Sequence, residues 1–280
     1  SRHTSFRIGG PARRMAFPER GEQLVLLLDH AIACGARPLV IGNGTNLLCP
    51  DAGLDRLVID TSAGLNRVEA GDAPGELTAE AGVPLARLAP FACRQGLTGL
   101  VFAHGIPGTV GGAVCMNAGA YGGEMGQVVQ GAAVLFPEEG VRYLPGPALD
   151  FGYRHSLLSD HPDAVVLHAV FRLVPGDPAA IRDRMRELME KRKASQPLEY
   201  PSAGSTFKRP AGHYAGTLID QCGLKGLTVG GAQVSEKHAG FVINRGGATC
   251  ADVVELIRQI QARVLDAAGV RLEPEVKIID

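Results

Sequence analysis

The chain has 280 residues, of which 45% are hydrophobic and 20% are charged, and its formal net charge is −1. That length predicts a sizeable core and about two domains, and the balanced charge argues against nucleic acid or an anionic membrane surface as a partner. The six cysteines stand singly, no apolar run reaches the ~20 residues that a bilayer requires, and the amino end shows no signal-peptide pattern, so a cytoplasmic protein with reduced thiols is expected.

The first part of the chain predicts a β-α-β unit. Apolar residues recur at helical spacing from Glu19 to Cys34, and Gly35 closes this run. The segments "RPLVIG" and "LDRLVID" have the composition of strands, and "NGTNLLCPDAG" between them is expected to be a loop. Between Glu76 and Gly96 we expect a short strand followed by a helix.

The middle of the chain predicts more strands and then a long charged helix. The segment "QVVQGAAVLFPEEGVRYLP" is typical of a hairpin that turns at residues 137–140, and "AVVLHAVFRLV" supplies another strand. Asp177 and Pro178 suit the N-cap and the first position of a helix that runs through Lys193. This helix marks the predicted domain boundary.

The last part of the chain predicts a smaller mixed domain. A helix is expected near "AGTLIDQCGLKG", a strand at "GFVIN", a helix capped by Thr249 with Asp252 at its third position, and a closing strand at "EPEVKIID". The stretch "PSAGSTFKRP" reads as a polar turn that contains two serines and two cations.

Several familiar functional motifs are absent from the sequence. "GNGTNL" lacks the third glycine of a Rossmann fingerprint, and no Gly-Lys dipeptide supplies a phosphate loop. The histidines show no HExxH spacing, and with isolated cysteines they predict no metal site. Ser205 lies in "AGSTF" rather than GxSxG, so a nucleophile elbow is not indicated.

Two glycine-rich loops stand out instead. "GIPGTVGG" begins at Gly105 and is followed closely by "NAGAYGG", and a second loop runs from Gly42 to Asn46. Glycine lets backbone N–H groups approach an anion closely, so such loops can hold a pyrophosphate without lysines. Two of them suit the two ends of one long cofactor, although a tightly packed turn between strands explains the same spacing.

Two polar clusters also leave alternatives open. "YRHS" places Arg154 beside Tyr153, which suits recognition of a carboxylate or an enolate and is also an ordinary surface pattern. Glu273 and Glu275 flank Pro274, so strand alternation directs both to one face. Either one glutamate is a buried acid or both are solvated, and solvation is the default for this residue type.

Seven ordered motifs together resemble one enzyme family. They are "HTSFRIGGPA", "IGNGTNLL", "GIPGTVGGAVCMNAGAYG", "YRHS", "PSAGSTFKRP", "GAQVSEKHAGFVIN" and "LEPEVKIID". From His3 to Ile279 the chain closely resembles the UDP-N-acetylenolpyruvoylglucosamine reductase family, in the shorter subclass that lacks an inserted segment covering the substrate.

The resemblance implies a fold and its division along the chain. An α+β protein is expected, with a two-subdomain FAD-binding module of the vanillyl-alcohol-oxidase-like (PCMH) type at residues 1–175. Its subdomains would span about 1–62 and 63–175, followed by a connecting helix at 176–195 and a smaller α+β substrate-binding domain at 196–280.

The resemblance also implies a reaction. Hydride passes from NADPH to non-covalently bound FAD and then to the enolpyruvyl group of UDP-N-acetylglucosamine enolpyruvate, giving UDP-N-acetylmuramate for peptidoglycan synthesis. The catalytic residues of the family match Arg154, Ser205 and Glu275. Arg154 would offset the enolate charge, Ser205 would donate the proton, and Glu275 would share a hydrogen in the enolate-like state. Glu273 is expected to be solvated.

The remaining site residues follow from the same match. The expected cofactor contacts are Gly42, Asn43, Gly44, Thr45, Asn46, Gly105, Gly108, Thr109, Gly111 and Gly112. The expected substrate contacts are Tyr153, Lys208, Arg209, Lys225 and Lys237, and the lysines and Arg209 are the cations for the UDP diphosphate. A monomer is expected that acts on small molecules and uses neither nucleic acid nor a membrane.

Two other hypotheses remain. In the first, the chain is another flavin oxidoreductase with the same module and a different substrate. In the second, it is a sugar-nucleotide-binding protein that has lost catalysis. The joint presence of Arg154, Ser205 and Glu275 argues against the second of these.

Overall fold

The computed structural model describes residues 1–137 and 139–280 of the chain. The helices are α1 (Gly21–Ala33), α2 (Leu85–Arg94), α3 (Val110–Cys115), α4 (Pro178–Ser195), α5 (Ala215–Gln221) and α6 (Cys250–Ala268). The strands are β1 (Ala12–Ala16), β2 (Leu39–Ile41), β3 (Leu47–Leu48), β4 (Leu54–Asp60), β5 (Val68–Ala70), β6 (Glu76–Glu80), β7 (Leu97–Thr98), β8 (Gly119–Ala120), β9 (Gly123–Glu124), β10 (Val129–Phe136), β11 (Gly140–Pro145), β12 (Val165–Arg172), β13 (Val174–Pro175), β14 (Ser202–Ser205), β15 (Thr228–Val229), β16 (Ala232–Val234), β17 (Phe241–Asn244) and β18 (Lys277–Ile278).

These elements fold into two compact units. The central unit contains Arg14–Asn43 and Arg56–Lys191. The terminal unit contains Ser1–Arg13, Gly44–Asp55 and Arg192–Asp280, so it includes both ends of the chain. None of the helices in the described part of the chain is long and apolar enough to cross a membrane.

The main sheet of the central unit has five strands in the order β11-β10-β12-β6-β5. Successive residues of β10 pack in two different cores. Ala132, Val134 and Phe136 pack in the larger core, which includes residues of α2 and α3. Ala133 and Leu135 pack in a second core that includes Leu24 and Leu28 of α1. Both faces of the sheet are therefore covered, which explains why β10 reads as a nearly continuous apolar run.

The predicted elements of this unit are largely confirmed. α1 occupies the periodic segment, and the two predicted strands form β2 and β4, which pair in parallel with Leu39 opposite Val58. The described residues that connect them contain β3 and no helix, so these two strands are not joined by a helical crossover. β10 and β11 form the predicted antiparallel hairpin, with Phe136 opposite Gly140. Of the predicted turn at 137–140, Glu138 lies outside the described residues.

The two helices predicted from capping signals also begin where expected. Both carboxylate oxygens of Asp177 accept backbone hydrogen bonds at the start of α4, from Ala179 N–H at 3.0 Å and Ala180 N–H at 3.3 Å. At α6, Thr249 and Asp252 form a reciprocal capping box. The backbone N–H of Thr249 lowers the pKa of the Asp252 carboxyl, because the hydrogen bond favours its charged form.

The terminal unit is built on a four-stranded sheet of order β14-β17-β16-β15. α5 and α6 supply apolar side chains to its core, among them Leu218 and Ile257. Three further buried residues of this core come from early segments of the chain: Phe6 and Ile8 precede β1, and Leu48 belongs to β3.

The last residues of the chain complete this unit by backbone pairing. Glu275 N–H donates to Thr206 O at 2.8 Å, and Lys208 N–H donates to Glu273 O at 2.8 Å. Further along, β18 pairs in parallel with β3, with Lys277 opposite Leu47. The predicted closing strand is therefore present, but its regular part is confined to β18.

Two expectations differ from the structure. "PSAGSTFKRP" is not a simple turn, because its first half forms β14, which pairs with β17 and has an irregularity between Ser202 and Ser205. Gly204 adopts φ +76° at this irregularity, a conformation that glycine tolerates. The compact units are also not linear segments, since residues 1–13 and 44–55 join the unit that contains 192–280. Their apolar side chains fill its core, which local sequence patterns do not reveal.

Because β3 packs in that core, a substitution in β3 should cost more stability than one at the paired residue of β18. Leu48 is fully buried, whereas its partner Ile278 is 44% exposed. Leu48→Ala should lower the free energy of unfolding by about 2–5 kcal/mol, because it leaves a cavity. Ile278→Ala should change it by about 0.5 kcal/mol or less. Urea titrations followed by circular dichroism measure both, and equal losses would contradict the assignment of Leu48 to this core.

Candidate active site

Gly42 of the first predicted glycine loop and Thr109 of the second approach each other inside the central unit. A Cβ atom at Gly42 would lie 2.1 Å from Thr109 Oγ1 and 3.0 Å from Thr109 Cγ2. Thr109 is 3% exposed and is held by the bridge between its backbone and Pro84, so it has no room to retreat. Only glycine at position 42 permits this approach of the two loops.

Both loops also present backbone N–H groups without protein acceptors. In the described part of the chain, the N–H groups of Gly42, Asn43 and Gly112 donate no hydrogen bond to the protein. By contrast, Val110 and Gly111 N–H are used to fasten the second loop, to Val83 O at 2.9 Å and Ala81 O at 2.8 Å. Inward-turned N–H groups of glycine loops suit the diphosphate of a dinucleotide, so these residues fit an FAD cofactor.

His104 lies directly before the second loop. Its Nδ1 atom is buried, and no protein group within the described residues partners it. Burial lowers the pKa of this imidazole, because desolvation disfavours the charged form. Burial thus favours the neutral form of the histidine at the start of this loop.

Arg154 lies in the central unit on a tight turn. Gly152 and His155 exchange two backbone hydrogen bonds, of 3.0 and 3.2 Å, around it. Arg154 has φ +53°, in the left-handed region that a large side chain rarely occupies. Its guanidinium lies 5.2 Å from the centre of the Tyr153 ring, and its Nη2 donates to Gly119 O at 3.3 Å.

Ser205 and Glu275 are close together within the terminal unit. Ser205 is the last residue of β14 and is exposed. The next residue, Thr206, donates to Gly240 O and accepts from Glu275 N–H, each at 2.8 Å. The backbone of Glu275 is held on its other side by Asn46, whose amide donates to Glu275 O at 3.0 Å. A hydroxyl donor and a carboxyl group thus occupy neighbouring backbone positions.

The predicted diphosphate cations are all in this unit and already have partners. Lys208 pairs with Glu273, and Lys225 pairs with Asp220 at 2.7 Å. Lys237 donates to Lys193 O at 2.6 Å. The guanidinium of Arg209 lies 4.0 Å from the centre of the Tyr214 ring. The two ion pairs are at the surface and are of the kind that contributes little to stability.

Some expected contacts have a structural role that the sequence did not reveal. Asn46 was expected to bind the cofactor, and in the structure its amide anchors Glu275. Glu273 was expected to be solvated, and its side chain is 68% exposed while pairing with Lys208. Asn117 was missed, although its amide is hydrogen bonded beneath the Arg154 turn. Its position within "NAGAYGG" gave a possible signal, since asparagine favours left-handed turns.

The chain is similar in sequence and in structure to known proteins. Residues 12–142 match an FAD binding domain, and residues 196–279 match the C-terminal domain of UDP-N-acetylenolpyruvoylglucosamine reductase. The chain is 49% identical to a UDP-N-acetylenolpyruvoylglucosamine reductase from Agathobacter rectalis, covering 99% of this chain and 91% of that protein. It is also 49% identical to a UDP-N-acetylenolpyruvoylglucosamine reductase from Levilactobacillus brevis, covering 99% of this chain and 90% of that protein.

A solved structure extends the likeness to the fold. The crystal structure of the reductase MurB from Thermus caldophilus superposes with a TM-score of 0.84 at 37% identity, covering 100% of this chain and 96% of that chain. Together with the matched FAD binding domain, this defines an FAD-dependent oxidoreductase. The chain belongs to the UDP-N-acetylenolpyruvoylglucosamine reductase family. The predicted fold class and the FAD cofactor are thereby confirmed.

The approach of Thr109 to Gly42 predicts a cofactor-binding defect. Gly42→Ala should force the two loops apart at a cost of about 1–3 kcal/mol, which corresponds to roughly 5–150-fold weaker FAD binding. Gly21→Ala in the same unit is the control, because no atom lies within 4 Å of a Cβ built there. Quenching of FAD fluorescence on titration measures both affinities. Unchanged binding by Gly42→Ala would contradict the role of this loop contact.

Proposed function

We propose that this chain reduces the enolpyruvyl group of UDP-N-acetylglucosamine enolpyruvate to give UDP-N-acetylmuramate, with NADPH as the hydride source. The observation that carries the proposal is the neighbouring placement of Ser205 and Glu275, which are far apart in sequence and joined through Thr206. Family membership supports the same substrate, because it is the one in the names of the relatives.

The charge that develops on the substrate explains the need for Arg154. Addition of hydride to the terminal alkene carbon leaves negative charge at the neighbouring carbon, and this charge delocalises onto the carboxylate. An arginine is always protonated and offers paired donors that match a carboxylate. A fixed cation of this kind stabilises an enolate more strongly than it stabilises the ground state, which is what catalysis requires. Tyr153, beside it, contributes to the same contact.

Ser205 and Glu275 account for the proton. The hydroxyl of Ser205 donates its proton to the carbanionic carbon, and solvent replaces that proton because the residue is exposed. Glu275, held at its backbone by Thr206 and Asn46, shares a hydrogen with the enolate-like carboxylate when it is protonated. Glu273 has no catalytic role in this scheme, because it pairs with Lys208 at the surface.

The remaining site residues bind the cofactor and the substrate. FAD, when bound, supplies the hydride-transfer chemistry. The loops that contain Gly42, Asn43 and Thr109 hold its diphosphate, together with Gly44, Thr45 and the glycines at 105, 108, 111 and 112. Lys208, Arg209, Lys225 and Lys237 bind the UDP diphosphate of the substrate. A cytoplasmic monomer is part of the proposal, and sedimentation analysis of the purified protein tests the assembly.

The two half-reactions test the role of Ser205 as the proton donor. In Ser205→Ala, NADPH should still bleach the flavin absorbance at the wild-type rate, since this step needs no proton from Ser205. Reoxidation by the enolpyruvyl nucleotide should slow by about 10²–10⁴-fold, the range of general acid catalysis. Stopped-flow absorbance measures both rates.

The matched control lies three residues earlier on the same strand. Ser202 uses its hydroxyl locally, where it accepts from Gly204 N–H at 3.4 Å, so Ser202→Ala should leave both half-reactions unchanged. If Ser205→Ala reoxidises at the normal rate, the hydroxyl is not the proton donor. If the wild-type flavin is not reoxidised by this nucleotide at all, the proposed substrate is wrong.

A further inference from the structure

Asn117 is a fully buried polar residue at the end of α3. It has φ +44°, in the left-handed region that asparagine tolerates better than most residues. Its side-chain amide is used on both sides: Oδ1 accepts from Gly126 N–H, and Nδ2 donates to Gly152 O, each at 2.8 Å. A buried amide with both groups satisfied fixes the segments that it joins.

The Gly152 bond reaches the turn that carries Arg154. Gly152 O accepts from His155 N–H at 3.2 Å as well as from Asn117, so both of its lone pairs are used. Arg154 lies inside this turn with a left-handed backbone. Such a conformation persists only where surrounding contacts hold it, and the Asn117 amide is one of those contacts.

The Gly126 bond fixes the other end of Arg154. It closes the loop that contains the small hairpin of β8 and β9, in which Gly119 pairs with Glu124. Gly119 O is the acceptor for Arg154 Nη2, at 3.3 Å. The backbone of Arg154 and its guanidinium are therefore both located relative to one buried amide.

We propose that Asn117 is a positioning residue for Arg154, acting on the protonation half-reaction without contacting the substrate. This inference rests on the proposed role of Arg154. Loss of the Nδ2 donor releases the Gly152 turn and moves the guanidinium away from the place where the enolate charge develops. A displacement of about 1 Å at such a group is enough to cost ~10²-fold in rate.

Two substitutions in the FAD-loaded enzyme test the proposal. Asn117→Asp keeps an acceptor for Gly126 but has no donor for Gly152 when ionised, and Asn117→Gly keeps the left-handed backbone without the side chain. Both should reduce the rate of reoxidation by the enolpyruvyl nucleotide by ~10²-fold. Both should retain bound FAD, measured by its absorbance spectrum, and the wild-type rate of flavin reduction by NADPH.

A double-mutant cycle distinguishes positioning from general damage. If Asn117 acts through Arg154, Asn117→Asp combined with Arg154→Ala should be no slower than Arg154→Ala alone. Asn244→Asp is the matched control, because Asn244 is a buried amide in the terminal unit that donates to Phe6 O and accepts from Gly246 N–H. Thermal unfolding should show losses of similar size for both aspartate variants, while Asn244→Asp reoxidises normally.

Each other outcome decides a separate question. If Arg154→Ala reoxidises at the wild-type rate, the proposed role of Arg154 is wrong. If Arg154→Ala is slow but the Asn117 effect adds to it in full, or is absent, the positioning role is wrong. Loss of FAD by both Asn117 variants also overturns it, because Asn117 would then support the cofactor loops. If Asn244→Asp slows reoxidation equally, the slowing in Asn117→Asp comes from lost stability and not from the position of Arg154.

Discussion

The terminal unit depends on backbone hydrogen bonds that its last segment makes with distant parts of the chain. Glu275 N–H donates to Thr206 O, and Lys277 N–H donates to Asn46 O at 2.9 Å. The amide of Asn46 meets Glu275 O across 229 residues of sequence. These bonds, together with the one from Lys208 N–H to Glu273 O, place Ser205 and Glu275 near each other. The chemistry assigned to this unit is therefore a product of its non-local pairing.

The central unit contains the loops that fit an anionic cofactor, and these loops carry little positive charge. The loops around Gly42 and Thr109 offer backbone N–H groups, and burial lowers the pKa of the adjoining His104. Oriented backbone dipoles need no counter-ion and carry no net charge. The turn that contains Arg154 is held by the amide of Asn117 and by its own backbone hydrogen bonds. The central unit thus offers neutral donors at its glycine loops and a cation at Arg154.

Local signals predicted the regular elements well and the non-local ones poorly. α1, the β10 and β11 hairpin, and the caps at Asp177 and Thr249 follow from periodicity and from the chemistry of chain termini. β14 was missed, because Gly204 and the adjacent serines are typical of turns and only pairing with β17 makes the segment a strand. The site shows the same division. The glycine loops had a physical rationale in sequence, whereas Ser205 and Glu275 had no decisive local signal and were proposed through resemblance to a family.

The participation of both chain ends in one unit constrains the order in which the protein forms during synthesis. Residues 14–191 emerge from the ribosome before the strands that complete the terminal sheet, and domains generally fold as units once their chain is available. Phe6, Ile8 and Leu48 stay unburied until Leu272 and Val276 of the same core have been translated. These early apolar segments are therefore exposed on the nascent chain for most of the synthesis of this unit, although in the folded protein they are almost fully buried.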